Sequence, residues 1–431
     1  MLLYRLLSAS ALLLYSPYAL ARSWTGRRRL GDVRGRLGRQ PYPDLEGGIW
    51  LHAVSVGEVI AARSFLSALS RGAPGRKLGL SVTTEAGRRL AEKTVADRVP
   101  VFSFPLELLR PIERAFSAVR PGLVLLTETE LWPLFLEQAK ARGIPVALVN
   151  GRISERSFAR YRLVRSWFGH VLEKVTLFAM QTADDAERIV FLGAPQDCVR
   201  VTGNIKYDLP AGPPFPDAGR LRQAAAGRPV LVAASTADRE EEIVLAAWKG
   251  LDPRPLLAIV PRRPERFADV ARLIEASGFT LLRRSSSDDQ IRNPQSEIRN
   301  PDIYLLDSIG ELTSLYREAR LAFVGGSLVP SGGHNPIEAW AEGVPVVVGP
   351  HTQNFREVCT RGERLGFLRR AKDGAQLRQE FAAALANAGA TAIRGERARR
   401  FVAGNRGASA ATAGLVLPLL ESAVSSGVRA P

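Results

Sequence analysis

With 431 residues, 46% of them apolar and 24% charged, the chain is too long for one ordinary core and too apolar to be intrinsically disordered. Two domains are therefore expected. Its two cysteines, Cys198 and Cys359, lie far apart with no CxxC array, which argues against a disulfide framework or a zinc site and fits a reducing cytoplasm.

The formal net charge is +16 and unevenly spread. Residues 1–40 hold eight Arg against one Asp. Arg22, Arg27, Arg28, Arg29, Arg34, Arg36 and Arg39 follow an apolar run, LLSASALLLYSPYALA, at 6–21. A basic surplus suits an anionic partner, whether nucleic acid, acidic lipid or a phosphorylated substrate. The arginines scattered later in the chain are equally expected of a GC-rich genome. The apolar run is shorter than the roughly 20 residues of a spanning helix and contains Pro17. A short anchor, an interfacial helix and a signal peptide ending at Ala19-Leu20-Ala21 all fit it. The arginines behind the run oppose export and would bind anionic lipid, so residues 1–40 are read as a membrane anchor or interfacial segment.

From Ile49 onward, short apolar runs alternate with helical stretches. Strands are predicted at 49–54, 77–82, 123–126 and 145–149, with helices opening after Gly57 and at Thr84-Glu85. Wholly apolar strands separated by helices indicate a parallel sheet covered on both faces, which collects ligands at its carboxyl ends. Residues 209–218, LPAGPPFPDA, read as a linker. Beyond it, strands are predicted at 229–233, 255–260, 303–306, 321–324 and 345–348. The fold class is α/β: one Rossmann-like domain over 41–208 and another over 219–431, facing a central cleft. The polar segment 285–302, with Ile-Arg-Asn-Pro twice, reads as a surface loop without assigned function.

The chemistry-bearing motifs fall at the predicted strand ends. Glu58, in His52-Ala53-Val54-Ser55-Val56-Gly57-Glu58, sits near a helix N-terminus. Capping accounts for it, and so does a general base that deprotonates an acceptor hydroxyl. Thr127-Glu128-Thr129-Glu130 offers two further carboxylates, one expected toward the cleft and the other toward solvent. Lys206, just before the linker, is either a surface residue or a group that stabilises charge on a leaving group. In the second half, Gly325-Gly326-Ser327 and Gly332-Gly333-His334-Asn335-Pro336-Ile337-Glu338 lie between a strand and a helix. Asn335 is expected to cap that helix, with Pro336 in its first turn and Glu338 at the capping-box position. Capping leaves four glycines beside a histidine unexplained, and glycines admit a ligand to backbone N–H groups. Pro261-Arg262 and the turn Ile309-Gly310-Glu311 also follow predicted strands, the first suited to a phosphate by a bidentate fork.

Six segments, in order over residues 48–360, resemble the 3-deoxy-D-manno-octulosonate (Kdo) transferases of lipopolysaccharide synthesis. They are HAVSVGE at 52–58, TETELWP at 127–133, NGRISERSF at 150–158, TGNIKYD at 202–208, VPRRPERF at 260–267 and GGHNPIEAWAEGVPVVVGP at 332–350. The resemblance implies a GT-B architecture, with an acceptor-binding N-terminal domain and a CMP-sugar-binding C-terminal domain. It implies transfer of Kdo from CMP-Kdo to a lipid A precursor, with inversion and without a cofactor or a metal in the catalytic step. By the same resemblance Glu58 is the base, while Glu128 and Lys206 assist the transition state. CMP contacts fall on Pro261, Arg262, Ile309, Gly310, Glu311, Asn335, Pro336, Ile337 and Glu338. The expected location is the cytoplasmic face of the inner membrane, on its anionic surface. A GT-B enzyme using another nucleotide sugar is the rival within enzymes. A basic nucleic-acid-binding protein is the rival outside them, but no aromatic-interleaved basic pattern supports nucleic acid as a partner.

Overall fold

A computed structural model of the chain describes residues 33–209, 213–286 and 300–425. The apolar run at 6–21 and most of the basic cluster behind it lie outside the described residues, as do positions 287–299 of the polar segment and 210–212 of the Pro-rich one. Among the described residues no helix is long and apolar enough to cross a membrane.

The chain divides into two compact units, one of residues 1–208 with 405–431 and one of residues 209–404. The first is built on seven parallel strands: β1 (Ile49–Ala53), β2 (Leu78–Val82), β3 (Val101–Ser103), β4 (Leu123–Thr127), β5 (Val146–Gly151), β6 (Leu177–Met180) and β7 (Val199–Val201). Their order is β3-β2-β1-β4-β5-β6-β7, a doubly wound sheet whose winding reverses between β1 and β4. Leu51 registers with Leu80 on one side and Leu125 on the other. Successive residues point to opposite faces, so each strand feeds two cores. Trp50, Val124, Leu126 and Leu148 join one core, while Leu51, Leu123, Leu125 and Ala147 join the other. The buried Trp50 indole donates to Ser81 Oγ at 2.7 Å, so its one polar atom is satisfied.

The second of these cores is covered by helix α1 (Val56–Gly72) and by a helix from the far end of the chain, Ala408–Ser425. This corrects the expectation that 219–431 form one domain. Ala413, Val416 and Leu420 make an apolar stripe at helical spacing, and it is buried with Val59, Ala62 and Phe65 of α1. Asp208 ties the returning chain down by accepting from the Gly407 amide at 2.6 Å and from that of Ser409.

The second unit has seven more parallel strands: β8 (Val230–Thr236), β9 (Leu256–Pro261), β10 (Leu281–Arg283), β11 (Ile303–Leu305), β12 (Leu321–Val324), β13 (Val346–Val348) and β14 (Leu368–Arg370). Their order is β10-β11-β9-β8-β12-β13-β14, with the reversal between β8 and β12. Leu231, Leu257, Ile303, Phe323 and Val347 line one face with Trp248 and Phe381. In both units a strand at or near the reversal carries a register shift. It surrounds Asn150 (φ 53°) at the end of β5 and Ser235 (φ 52°) at the end of β8. Such irregularities re-aim side chains at the ligand end of a sheet.

Candidate active site

In the first unit the sequence-predicted groups converge at the carboxyl ends of β1 and β4, where the winding reverses. Ser55 caps α1 from an extended conformation, and its hydroxyl accepts from the Glu58 amide at 3.4 Å. The Glu58 carboxylate turns back to complete the box, accepting from Ser55 Oγ and from the Val54 amide, each at 2.8 Å. A third donor, Thr127 Oγ1 of β4, reaches the same carboxylate at 2.6 Å. Glu58 is only 7% exposed. Burial pushes its pKa up, the neighbouring charge of Glu128 pushes the same way, and the three hydrogen bonds pull against both.

Glu128 takes a left-handed backbone (φ 55°) directly after β4. Its carboxylate meets Lys206 Nζ at 2.6 Å, and both side chains are largely shielded from solvent. Lys206 lies in a short turn (Ile205–Tyr207) held by a polar brace. Asn150 Oδ1 accepts from the Ile205 amide, Asn204 Nδ2 donates to Gln181 Oε1, and Gln181 Nε2 donates to the Asn150 carbonyl. Nothing in the sequence reading singled out Gln181, because its role is set by β6 lying beside β5.

Glu130, expected toward solvent if Glu128 faced the site, is instead part of the group. Burial, followed by the charges of Glu58 and Glu128, raises its pKa to about 7. Three carboxylates and one lysine thus share a corner whose burial and mutual charge favour the protonated form of Glu130. His52 of the same motif is a wall, stacked on Phe104 at 3.8 Å and held neutral by burial, with a pKa of about 3.

The remaining predicted residues gather at the carboxyl ends of the second sheet. Pro261 ends β9, and the exposed Arg262 follows, its amide donating to the Thr236 carbonyl at 3.0 Å. No carboxylate pairs with the Arg262 guanidinium among the described residues. The charges of Arg262 and Arg263 reach His334, which burial first and then these two cations hold at a pKa of about 4. His334 is therefore neutral at physiological pH. Asn335 Oδ1 accepts from the Ile337 amide at 3.0 Å, and Asn335 Nδ2 donates to Glu338 Oε1 at 3.3 Å. The helix that follows, α2 (Ile337–Ala341), begins one residue later than expected, with Pro336 at its cap position. Glu338 also accepts from Thr313 Oγ1 at 3.2 Å, which joins this segment to the short helix Leu312–Leu315 after β11. In the turn before that helix Ile309 is 79% exposed, Gly310 is left-handed (φ 90°), and Glu311 pairs with Arg284 at 2.9 Å.

The glycines have a reason the sequence did not show. The buried carboxylate of Glu240 accepts from the amides of Gly326, Ser327 and Leu328 at 2.6–2.9 Å, and from that of Ala237 at 2.8 Å. These N–H groups are thus occupied by the protein's own anion. A Cβ on Gly325 would stand 2.6 Å from Glu240 Oε2, and one on Gly326 would stand 2.8 Å from His334 Nε2. Close approach of protein atoms accounts for both residues without a ligand. Glu241, also buried, accepts from Thr236 Oγ1 at 2.7 Å and forms a fork with Arg266 at 2.6 and 2.9 Å. The pair braces the ends of β8 and β12. Among the described residues no cluster of His, Cys, Asp or Glu has the geometry to hold a metal ion.

A family profile described as 3-deoxy-D-manno-octulosonic-acid transferase (kdotransferase) matches residues 27–209. The chain is 36% identical to a 3-deoxy-D-manno-octulosonic acid transferase of Haemophilus influenzae over 373 residues, covering 83% of this chain and 84% of that one. It is 33% identical to the 3-deoxy-D-manno-octulosonic acid transferase of Bordetella pertussis, covering 88% of this chain and 89% of that one. The solved structure of the glycotransferase of kitacinnamycin covers 88% of this chain and 100% of its own at a TM-score of 0.52 and 16% identity, a likeness of fold alone. The two doubly wound units are those of a GT-B architecture. Identity of this level over more than four-fifths of the length decides the matter: the chain belongs to the 3-deoxy-D-manno-octulosonic acid (Kdo) transferase family.

Proposed function

We propose that the chain is an inverting glycosyltransferase that moves Kdo from CMP-Kdo to a hydroxyl of a lipid A precursor, on the cytoplasmic face of the inner membrane. The observation that carries the mechanism is the buried, triply hydrogen-bonded Glu58 carboxylate at the winding reversal of the first sheet. Its raised pKa strengthens it as a base, and its three donors favour the ionised form and fix its orientation. Glu58 takes the proton of the acceptor hydroxyl, whose oxygen forms a bond to the anomeric carbon of Kdo as the bond to the CMP phosphate breaks. Glu128 and Lys206 assist the transition state. Lys206 supplies positive charge to that transition state and Glu128 fixes its position.

CMP is held by the second unit. Arg262, exposed and without a carboxylate partner among the described residues, serves the phosphate. Asn335, Pro336, Ile337 and Glu338 form one wall, with Glu338 assigned to the ribose hydroxyls. Ile309, Gly310 and Glu311 form another, and the exposed Ile309 offers an apolar surface to the base. Pro261 fixes the backbone before Arg262.

The test is the Glu58→Gln variant, incubated with CMP-Kdo and a lipid A precursor and followed by mass spectrometry of the lipid. Transfer should fall by about 10²–10⁴-fold, as for loss of a general base, while CMP binding persists. Near-normal turnover would remove Glu58 from that role. Binding of UDP in preference to CMP would remove the donor assignment.

A further inference from the structure

The first unit carries a surface feature that the proposed chemistry does not use. After β5, two helices, Glu155–Arg162 and Arg165–Leu172, form a hairpin along the sequence RYRLVRSW. None of the eight residues of the first helix is buried. At the corner Leu163 is 83% exposed and Val164 47%, and Trp167 one turn later is 39% exposed. Phe191 of a neighbouring helix, 43% exposed, continues the apolar surface beneath Arg165, whose guanidinium lies 4.5 Å from the ring centroid. A soluble chain ordinarily buries such a group of side chains or uses it.

Charge indicates what covers it. Between residues 155 and 172 there are four arginines, Arg156, Arg160, Arg162 and Arg165, against one glutamate, Glu155. None of the four pairs with a carboxylate among the described residues. A second copy of the chain would bring the same positive patch and repel it. An anionic bilayer would accept the arginines among its headgroups and the Leu, Val and Trp side chains at the acyl boundary. Tryptophan, apolar in body and polar at its N–H, suits that boundary.

The hairpin also adjoins the carboxylate corner. It leaves β5 just after Asn150, and Tyr161, stacked on Phe168 at 4.4 Å, feels the charge of Glu130. We infer that the 155–172 hairpin is a membrane-docking surface, seating Leu163, Val164 and Trp167 in an anionic bilayer so that the corner containing Glu58 and Glu130 opens toward lipid. The inference rests on the reading of the chain as an enzyme that acts on a lipid, and it concerns residues distinct from the basic N-terminal segment.

The full chain is tested on vesicles of phosphatidylglycerol brominated along the acyl chains, beside vesicles of brominated phosphatidylcholine. Six tryptophans contribute fluorescence, so the Trp167 signal is taken as the difference between the protein and its Trp167→Phe variant. That difference should fall at least about twofold on the anionic vesicles and stay unchanged on the zwitterionic ones. An unquenched Trp167 signal on a chain that has bound the vesicles would overturn the inference, as would equal quenching on both lipids. A concentration-dependent dimer abolished by Leu163→Glu, with Trp167 dark to bromine, would assign the patch to a second copy instead. If Trp167→Phe does not fold, an environment-sensitive fluorophore on Leu163→Cys in a Cys198→Ser, Cys359→Ala background reads the same insertion. Transfer measured on detergent-dispersed acceptor separates the two claims. Quenching without transfer sinks the proposed activity and leaves the docking surface, and transfer without quenching does the reverse.

Discussion

Glu58 answers to two demands at once, and the hydrogen bond from Thr127 separates them. Ser55 and the Val54 amide serve the helix cap, whereas Thr127 comes from β4 and contributes nothing to capping. Thr127→Val keeps the shape and removes a donor to the ionised carboxylate, so the Glu58 pKa rises further. The ascending acid limb of the kcat/KM–pH profile should move to higher pH, with activity regained in alkaline buffer; an unmoved limb would argue that another group is the base. Glu130 allows a second test through stability. Its folded pKa, about 7, lies above the ordinary 4.5, so its protonated form is favoured by the fold. The associated stability is fully present below pH 4.5 and lost as pH rises through 7. Allowing for partial solvent screening, about 1–3 kcal/mol is lost between about pH 5 and pH 8.5, and Glu130→Gln should flatten that part of the urea-denaturation profile. An unchanged slope in the variant would show that Glu130 is already ionised at the acid end of that range. At this scale the sequence exposed the carboxylates and the lysine, because strand ends collect polar residues that packing does not require. It did not expose Gln181, Glu240 or Glu241, each of which acts on groups that only the fold brings near.

The elements were legible where a strand is buried on both sides. Nine of the strands announce themselves as apolar runs. Four of the five others, β3, β7, β10 and β14, are three-residue edge strands, and VRV, LLR and LRR carry arginines because one side of an edge needs no cover. β6, LFAM, is simply too short to stand out. The C-terminal helix, Ala408–Ser425, has an evident apolar stripe, but nothing local says which unit it covers. Leu420, 2% exposed against the α1 face, should cost about 2–4 kcal/mol when replaced by alanine. Hydrogen exchange should then quicken in Val56–Gly72 and not in the second unit; the opposite pattern would move the helix to the other unit.

At the scale of the molecule, the second unit is one continuous stretch, 209–404, inserted into a first unit that closes only when 405–425 returns. Each unit has its own parallel sheet and its own cores, so each is expected to open by its own equilibrium. A ligand that binds one folded unit stabilises that unit alone, by about 2.7 kcal/mol at a hundredfold excess over its dissociation constant. All residues assigned to CMP lie between 261 and 338, within the second unit, whereas the base and its partners lie in the first. Saturating CMP should therefore slow hydrogen exchange in the slowest-exchanging strands of the second unit, β8, β9 and β12, by about a hundredfold, and leave β1, β4 and α1 as they were. Arg262→Ala should reduce that protection, because it removes the cation assigned to the phosphate, while Glu58→Gln should not. Equal protection of both units would mean that they open as one cooperative block. Protection of the first unit alone would place the nucleotide on the wrong sheet and, with it, the assignment of Asn335 through Glu338.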